Sequence, residues 1–378
     1  MVSTLDSRRY WLYTGHPDLD SIFSAIRAAK LPPSFEIKSF LLISNVDLLD
    51  EMRKWCPKRF SIENLTTNSK VTTIQLTKIK RNKDQISGKF NLVKLGQTQV
   101  YMVLSYESLE FVRCVLEYFD AYYSSTSRLS ITSDQIKLIL DRIKEDTKGE
   151  IITDRFVAYS RIKEKQKERI LSSRKFPEPK LPTVQRMRES DLRWTNEDYS
   201  SSFKKAAENN QWIDKINFSV KKDFDEIFFG SLSRSGLIKC NKNPAPFFKI
   251  ILEILPKLGS DKIKIFKDKE RQKNNGDIRP ISIEYDTNIF KDVEQNHRLV
   301  NVLSELPKSS YSVYHGNPYL HVSLVDYRDG SAYDIWVLSD NRITIVPQLK
   351  ASFSSISRLC EHIMRRFREG EIKELKVN

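Results

Sequence analysis

Asp334 and the pair Gln348 and Lys350 carry the most specific chemistry legible in this chain. The stretch 333–352 reads YDIWVLSDNRITIVPQLKAS, with Asp334 at the start of one strand-like run and Gln348-Leu349-Lys350 at the end of the next. Two of only five histidines flank the turn His315-Gly316-Asn317-Pro318-Tyr319-Leu320-His321, and with Asp326 nearby they have the residue types of a metal site or a general base. Gly-Asn-Pro is also ordinary turn chemistry, which would leave His321 on a sheet face as a hydrogen-bonded structural residue. His16-Pro17-Asp18-Leu19-Asp20 sets three potential ligands between a strand and a helix. The simpler expectation is that Asp18 caps the helix and Asp20 sits favourably in its first turn.

Basic residues form a second signal. Lys78, Lys80, Arg81, Lys83, Lys89 and Lys94 gather in one segment against a single acid, Asp84. Arg161, Lys163, Lys165, Lys167, Arg169, Arg174 and Lys175 dominate another, and residues 262–279 form a third cluster. Such side chains neutralise phosphates and release counterions. Tyr101, Tyr106, Phe176 and Trp194 interleave with them and suit stacking on exposed bases.

The whole composition agrees with an anionic partner. The 378 residues include 63 Lys plus Arg against 49 Asp plus Glu, a net charge of +14. Between Arg161 and Arg188 stand ten basic residues and three glutamates, so this stretch holds +7, half of the total. It also contains Pro177, Pro179 and Pro182, which predicts an extended, basic linker. Cys56, Cys114, Cys240 and Cys360 are too far apart for a zinc knuckle or a disulfide framework, which points to a reducing compartment. With no apolar run near the ~20 residues that span a bilayer, a cytoplasmic protein without a membrane partner is expected. Eleven glycines supply no P-loop, no GxGxxG fingerprint and no GxSxG elbow, so Walker-type NTP hydrolysis, Rossmann dinucleotide chemistry and α/β-hydrolase chemistry lose their usual sequence support.

The elements that would position these residues follow from periodicity and punctuation. Alternating runs at 71–80, 89–95 and 99–105 predict an antiparallel meander, and Ser108 caps a helix whose apolar residues recur at helical spacing. Runs at 319–327, 333–338 and 342–346 predict a second meander, followed by a helix capped by Ser352. Thr195 is expected to cap a helix, 244–258 to be helical, and 262–266 to form a strand. The fold class is α+β in two domains, each an antiparallel three-stranded meander flanked by helices: 1–160, a linker at 161–190, and 191–378. Both halves repeat one order of elements, with Phe90-Asn91-Leu92 and Tyr333-Asp334-Ile335 in equivalent places.

Residues 287–367 resemble the core of PD-(D/E)XK nucleases, in which a helix precedes a three-stranded meander, an acid starts the second strand and E-x-K or Q-x-K ends the third. The resemblance implies that Asp334 and Gln348 would hold Mg²⁺ or Mn²⁺ against the scissile phosphate while Lys350 orients the attacking water. Glu294 or Glu305 on the preceding helix would supply a further carboxylate. The chain departs from the pattern at Gln348, which replaces the commoner acid, and at Pro347, which removes a ladder donor from the strand that delivers it. The function expected is nucleic-acid binding through a basic surface; the alternatives are a metal-dependent nuclease and a scaffold or adaptor subunit of a multiprotein complex.

Overall fold

A computed structural model describes residue 13 and residues 15–29, 35–80, 84–122, 124–160, 190–208, 211–223, 225–269, 279–316 and 318–375. The linker at 161–189, Arg81 and Lys83 lie outside the described residues. The element order is α1 (Leu19–Ala28), β1 (Glu36–Ser44), α2 (Leu48–Lys54), β2 (Phe60–Asn68), β3 (Val71–Ile79), β4 (Gln85–Lys94), β5 (Val100–Ser105), α3 (Leu109–Tyr122), β6 (Thr126–Arg128), α4 (Ser133–Thr147), β7 (Glu150–Ser160), β8 (Ser190–Asp198), α5 (Tyr199–Glu208), β9 (Gln211–Lys222), β10 (Asp225–Ser233), β11 (Ile238–Lys242) and α6 (Pro244–Phe266). There follow β12 (Ile281–Glu284), α7 (Val293–Ser304), β13 (Ser309–His315), β14 (Leu320–Asp326), β15 (Ser331–Ser339), β16 (Arg342–Pro347), α8 (Phe353–Arg366) and β17 (Glu371–Glu374).

The architecture is α+β with two antiparallel sheets. The larger has eleven strands in the order β2-β3-β4-β5-β1-β11-β10-β9-β7-β8, with β6 paired to β1. Its central strands, β1 (EIKSFLLIS) and β5 (VYMVLS), are nearly continuous apolar runs because both faces are covered. Leu41 and Ile43 join the core under α1, α4 and α6, whereas Phe40 and Leu42 join a second core with Met52 of α2 and Phe111 and Val115 of α3. The smaller sheet has the order β13-β14-β15-β16-β12-β17. Burial alternates along β14, β15 and β16, and among the described residues one face is covered, by α7 and α8.

The division between sheets falls between β11 and β12, not at the basic linker. β1 pairs with β11, and β7 pairs with β9, so strands from both sides of 161–190 enter one sheet. Charge marks the linker in the sequence, but strand pairing is non-local and ignores that mark. Two expected elements also change. Residues 262–266 continue α6 instead of forming a strand, since Leu255, Gly259 and Phe266 keep one buried face through Pro256. β8 runs through Thr195, and the Asp198 carboxylate accepts the Ser200 N–H at 3.1 Å to open α5. By contrast, Asp18 forms a capping box with Ser21, and Ser352 accepts the Ser355 N–H.

The two sheets are pinned together by polar and apolar contacts. Arg234, 4% exposed at its side chain, pairs with Glu369, whose carboxylate also accepts the Ser133 N–H at 3.1 Å. Phe266 of α6 meets Phe353 of α8 edge to face.

Candidate functional site

The uncovered face of the smaller sheet gathers a ring-and-carboxylate cluster. Alternation along β14 to β16 sends Val322, Ile335 and Ile345 into the core and leaves His321, Asp334 and Trp336 on the opposite face. Asp334 accepts a hydrogen bond from the Gln348 amide at 2.6 Å. His321 Nε2 lies 3.6 Å from the other Asp334 oxygen, too far for a hydrogen bond but close enough for an ion pair when the ring is protonated. His321 stands opposite Trp336, and the two rings stack at 3.5 Å and 11°. Tyr314 adds a third ring, 5.0 Å from His321.

Lys350 is not part of this cluster. β16 ends at Pro347, and beyond it the Gln348 N–H and the Lys350 carbonyl both bond to Ala332, an irregularity that breaks the strand period between Gln348 and Lys350. The Lys350 amine lies beside Gly330, 3.5 Å from where a Cβ there would stand. Gly330 lies in the turn before β15, whereas Asp334 is the fourth residue of that strand. Glu294 and Glu305 belong to α7 and its cap, on the covered side of the sheet, and Glu305 lies 3.9 Å from Arg366. What remains beside Asp334 is one amide, already donating to its carboxylate, and one imidazole. Mg²⁺ and Mn²⁺ favour several carboxylate or carbonyl oxygens, so this donor set does not fit the cation that the nuclease resemblance implies. Among the described residues no group of three or more His, Cys, Asp or Glu is placed to hold a metal.

Asp326 is likewise not a partner of His321. Its buried carboxylate takes Arg358 at 2.8 Å and the Ser355 hydroxyl at 3.0 Å. Neighbouring Asp329 accepts from the Ser331 N–H at 3.0 Å and from the Ser352 hydroxyl. Burial opposes ionisation of Asp329, but these hydrogen bonds and Arg358 hold its carboxyl below the usual range. The network ties the β14–β15 turn to the start of α8.

Three of the candidate basic residues on the larger sheet are paired with carboxylates where they stand. Lys78 pairs with Glu117, Lys80 with Glu110 at 2.9 Å, and Lys94 with Asp47 at 2.8 Å. Glu110 and Glu117 are seven residues apart, two turns along α3, a complementarity that reading each strand alone could not reveal. Lys89 lines an open cleft with His16, Thr73, Gln75 and Asn91. Asn91 is buried there, accepting the Thr73 hydroxyl at 2.9 Å. Arg161, Lys163, Lys165, Lys167, Arg169, Arg174 and Lys175 lie outside the described residues.

Cysteine chemistry has no support. All four cysteines are free thiols, and burial pushes Cys114 up to about 11 and Cys360 up to about 12. Among the described residues no helix is long and apolar enough to cross a membrane. The grouping of His321, Asp334 and Trp336 escapes a motif-based reading of the sequence, although the period of two along β14 and β15 carries it. No protein family, curated protein or solved structure matches this chain.

Proposed function

We propose that this protein binds nucleic acid through phosphate contacts and does not cleave it. The observation that carries this reading is the concentration of charge: 161–188 holds +7 of the chain's +14, in 28 residues. The pairing of Lys78, Lys80 and Lys94 with carboxylates shifts the expected contact away from the larger sheet and toward that segment. Tyr314, 66% exposed at the end of the ladder with His321 and Trp336, adds ring surface suited to an unpaired base.

A metal-dependent nuclease is the second reading, favoured by the Asp334–Gln348 hydrogen bond and opposed by the place of Lys350. The test incubates the protein with labelled single- and double-stranded DNA and RNA, with Mg²⁺, Mn²⁺ or EDTA, alongside Lys350→Ala. Binding without cleavage, equal in EDTA and in Lys350→Ala, is expected. Metal-dependent cleavage lost in Lys350→Ala would replace this reading with the nuclease. No binding to any of the four would leave the scaffold role.

A further inference from the structure

Among the described residues, the β13 edge of the smaller sheet carries no charge to guard it against pairing, and its irregularity lies only at the far end, between Val313 and His315. Edge strands are normally blunted by charge, above all by lysine. β17, at the other edge of the same sheet, obeys this with three charged residues in four (EIKE). β8, an edge of the larger sheet, has four in nine (SDLRWTNED). β13 (SSYSVYH) has none, and no Asp, Glu, Lys or Arg occurs between Lys308 and Asp326 in a chain that is 30% charged.

The same strand extends the covered face beyond its cover. Tyr311 stands opposite Leu324 and Val313 opposite Val322, both buried. Tyr311 and Val313 themselves are 40% and 45% exposed, so apolar surface continues past the helices to the edge. The backbone is equally available. The Tyr327 N–H donates to the Lys308 carbonyl at 2.8 Å, just before the β13–β14 ladder. Counting along the antiparallel register from that bond, Ser310 and Ser312 exchange hydrogen bonds with β14. Ser309, Tyr311 and Val313 then turn their N–H and C=O groups outward.

We propose that β13 is a homodimerisation edge, pairing antiparallel with β13 of a second copy about a two-fold axis at Tyr311. That register is self-complementary, as a two-fold interface requires. It sets Tyr311 against Tyr311 of the second copy and Ser309 against Val313, so every outward-facing residue meets another outward-facing one. It uses only the regular stretch 309–313, ahead of the irregularity between Val313 and His315. An aromatic pair forms across the axis on the apolar face, and the two six-stranded sheets become one of twelve. One strand of this length buries less than a standard interface, so the dimer is reversible and concentration-dependent.

Sedimentation velocity of the full chain across the micromolar range tests this, with Val313→Lys at the edge and Leu349→Lys as a control at another exposed apolar position. Wild type and Leu349→Lys are expected to show a monomer–dimer equilibrium, and Val313→Lys to remain monomeric with an unchanged circular dichroism spectrum. Hydrogen exchange on wild type alone guards against a folding defect in the variant. The Tyr311 and Val313 amides should gain protection at high protein concentration and lose it on dilution. A wild type that stays monomeric, or a Val313→Lys dimer of equal strength, overturns the proposal. A monomer that captures an added peptide strand at this edge does the same, in favour of a heterologous partner.

Discussion

Lys262 shows how one side chain at the junction between the sheets registers its surroundings. Its amine donates to the Ser130 carbonyl at 2.8 Å, and burial lowers its pKa from 10.5 to about 8 despite the nearby charge of Glu361. In the unfolded chain the group keeps its proton to higher pH, so between about 8 and 10.5 the unfolded state binds more protons and stability rises with pH. Below about 8 the burial penalty on the charged amine is fully present. Lys262→Met removes this titration. The unfolding free energy of wild type relative to Lys262→Met should therefore climb across this window, by at most about 1.4 kcal/mol per pH unit. Denaturant melts at several pH values measure it, and a difference that stays flat contradicts the burial of this amine.

At the scale of elements, α6 is fixed to the larger sheet at a glycine. A Cβ at Gly259 would lie 2.9 Å from Val100 Cγ2 and 3.2 Å from Ile43 Cγ2, so helix and sheet approach as closely as they do because no side chain intervenes. Gly259→Val should push α6 off β1 and β5 and cost about 1–3 kcal/mol by overpacking. A thermal melt equal to wild type would show that the two elements can relax freely. The legibility of the sequence follows the same division of local and non-local causes. Strands β14 to β16 are readable because one face is buried and the period of two is clean, as Val322, Ile335 and Ile345 show. Caps at Asp18 and Ser352 are readable because the donors they satisfy lie three residues away. β13 is not, since the alternation in SSYSVYH spans only Ser310 to Val313, too short to stand out, and no apolar run accompanies it. The joining of β1 to β11 and β7 to β9 has no local signature at all. In the candidate site, the meeting of Asp334 with Gln348 is legible in the motif, whereas Lys350 falls away from it because pairing with Ala332 becomes irregular after Pro347.

For the whole molecule, the 28 residues 161–188 hold half of the net charge, while Lys78, Lys80 and Lys94 of the larger sheet are paired with carboxylates. Under the proposed nucleic-acid binding, the binding free energy comes mainly from counterions released by that segment, and so falls steeply as salt is added. Fluorescence anisotropy on a labelled single strand over a salt series is the most direct test. It compares wild type with a chain carrying Gln at Arg161, Lys163, Lys165, Lys167, Arg169, Arg174 and Lys175. Wild type should show a linear fall of log K with log salt, and the variant a slope shallower by about 0.7 for each phosphate it no longer neutralises. A wild-type affinity indifferent to salt, or an identical slope in the variant, would contradict phosphate binding through this segment.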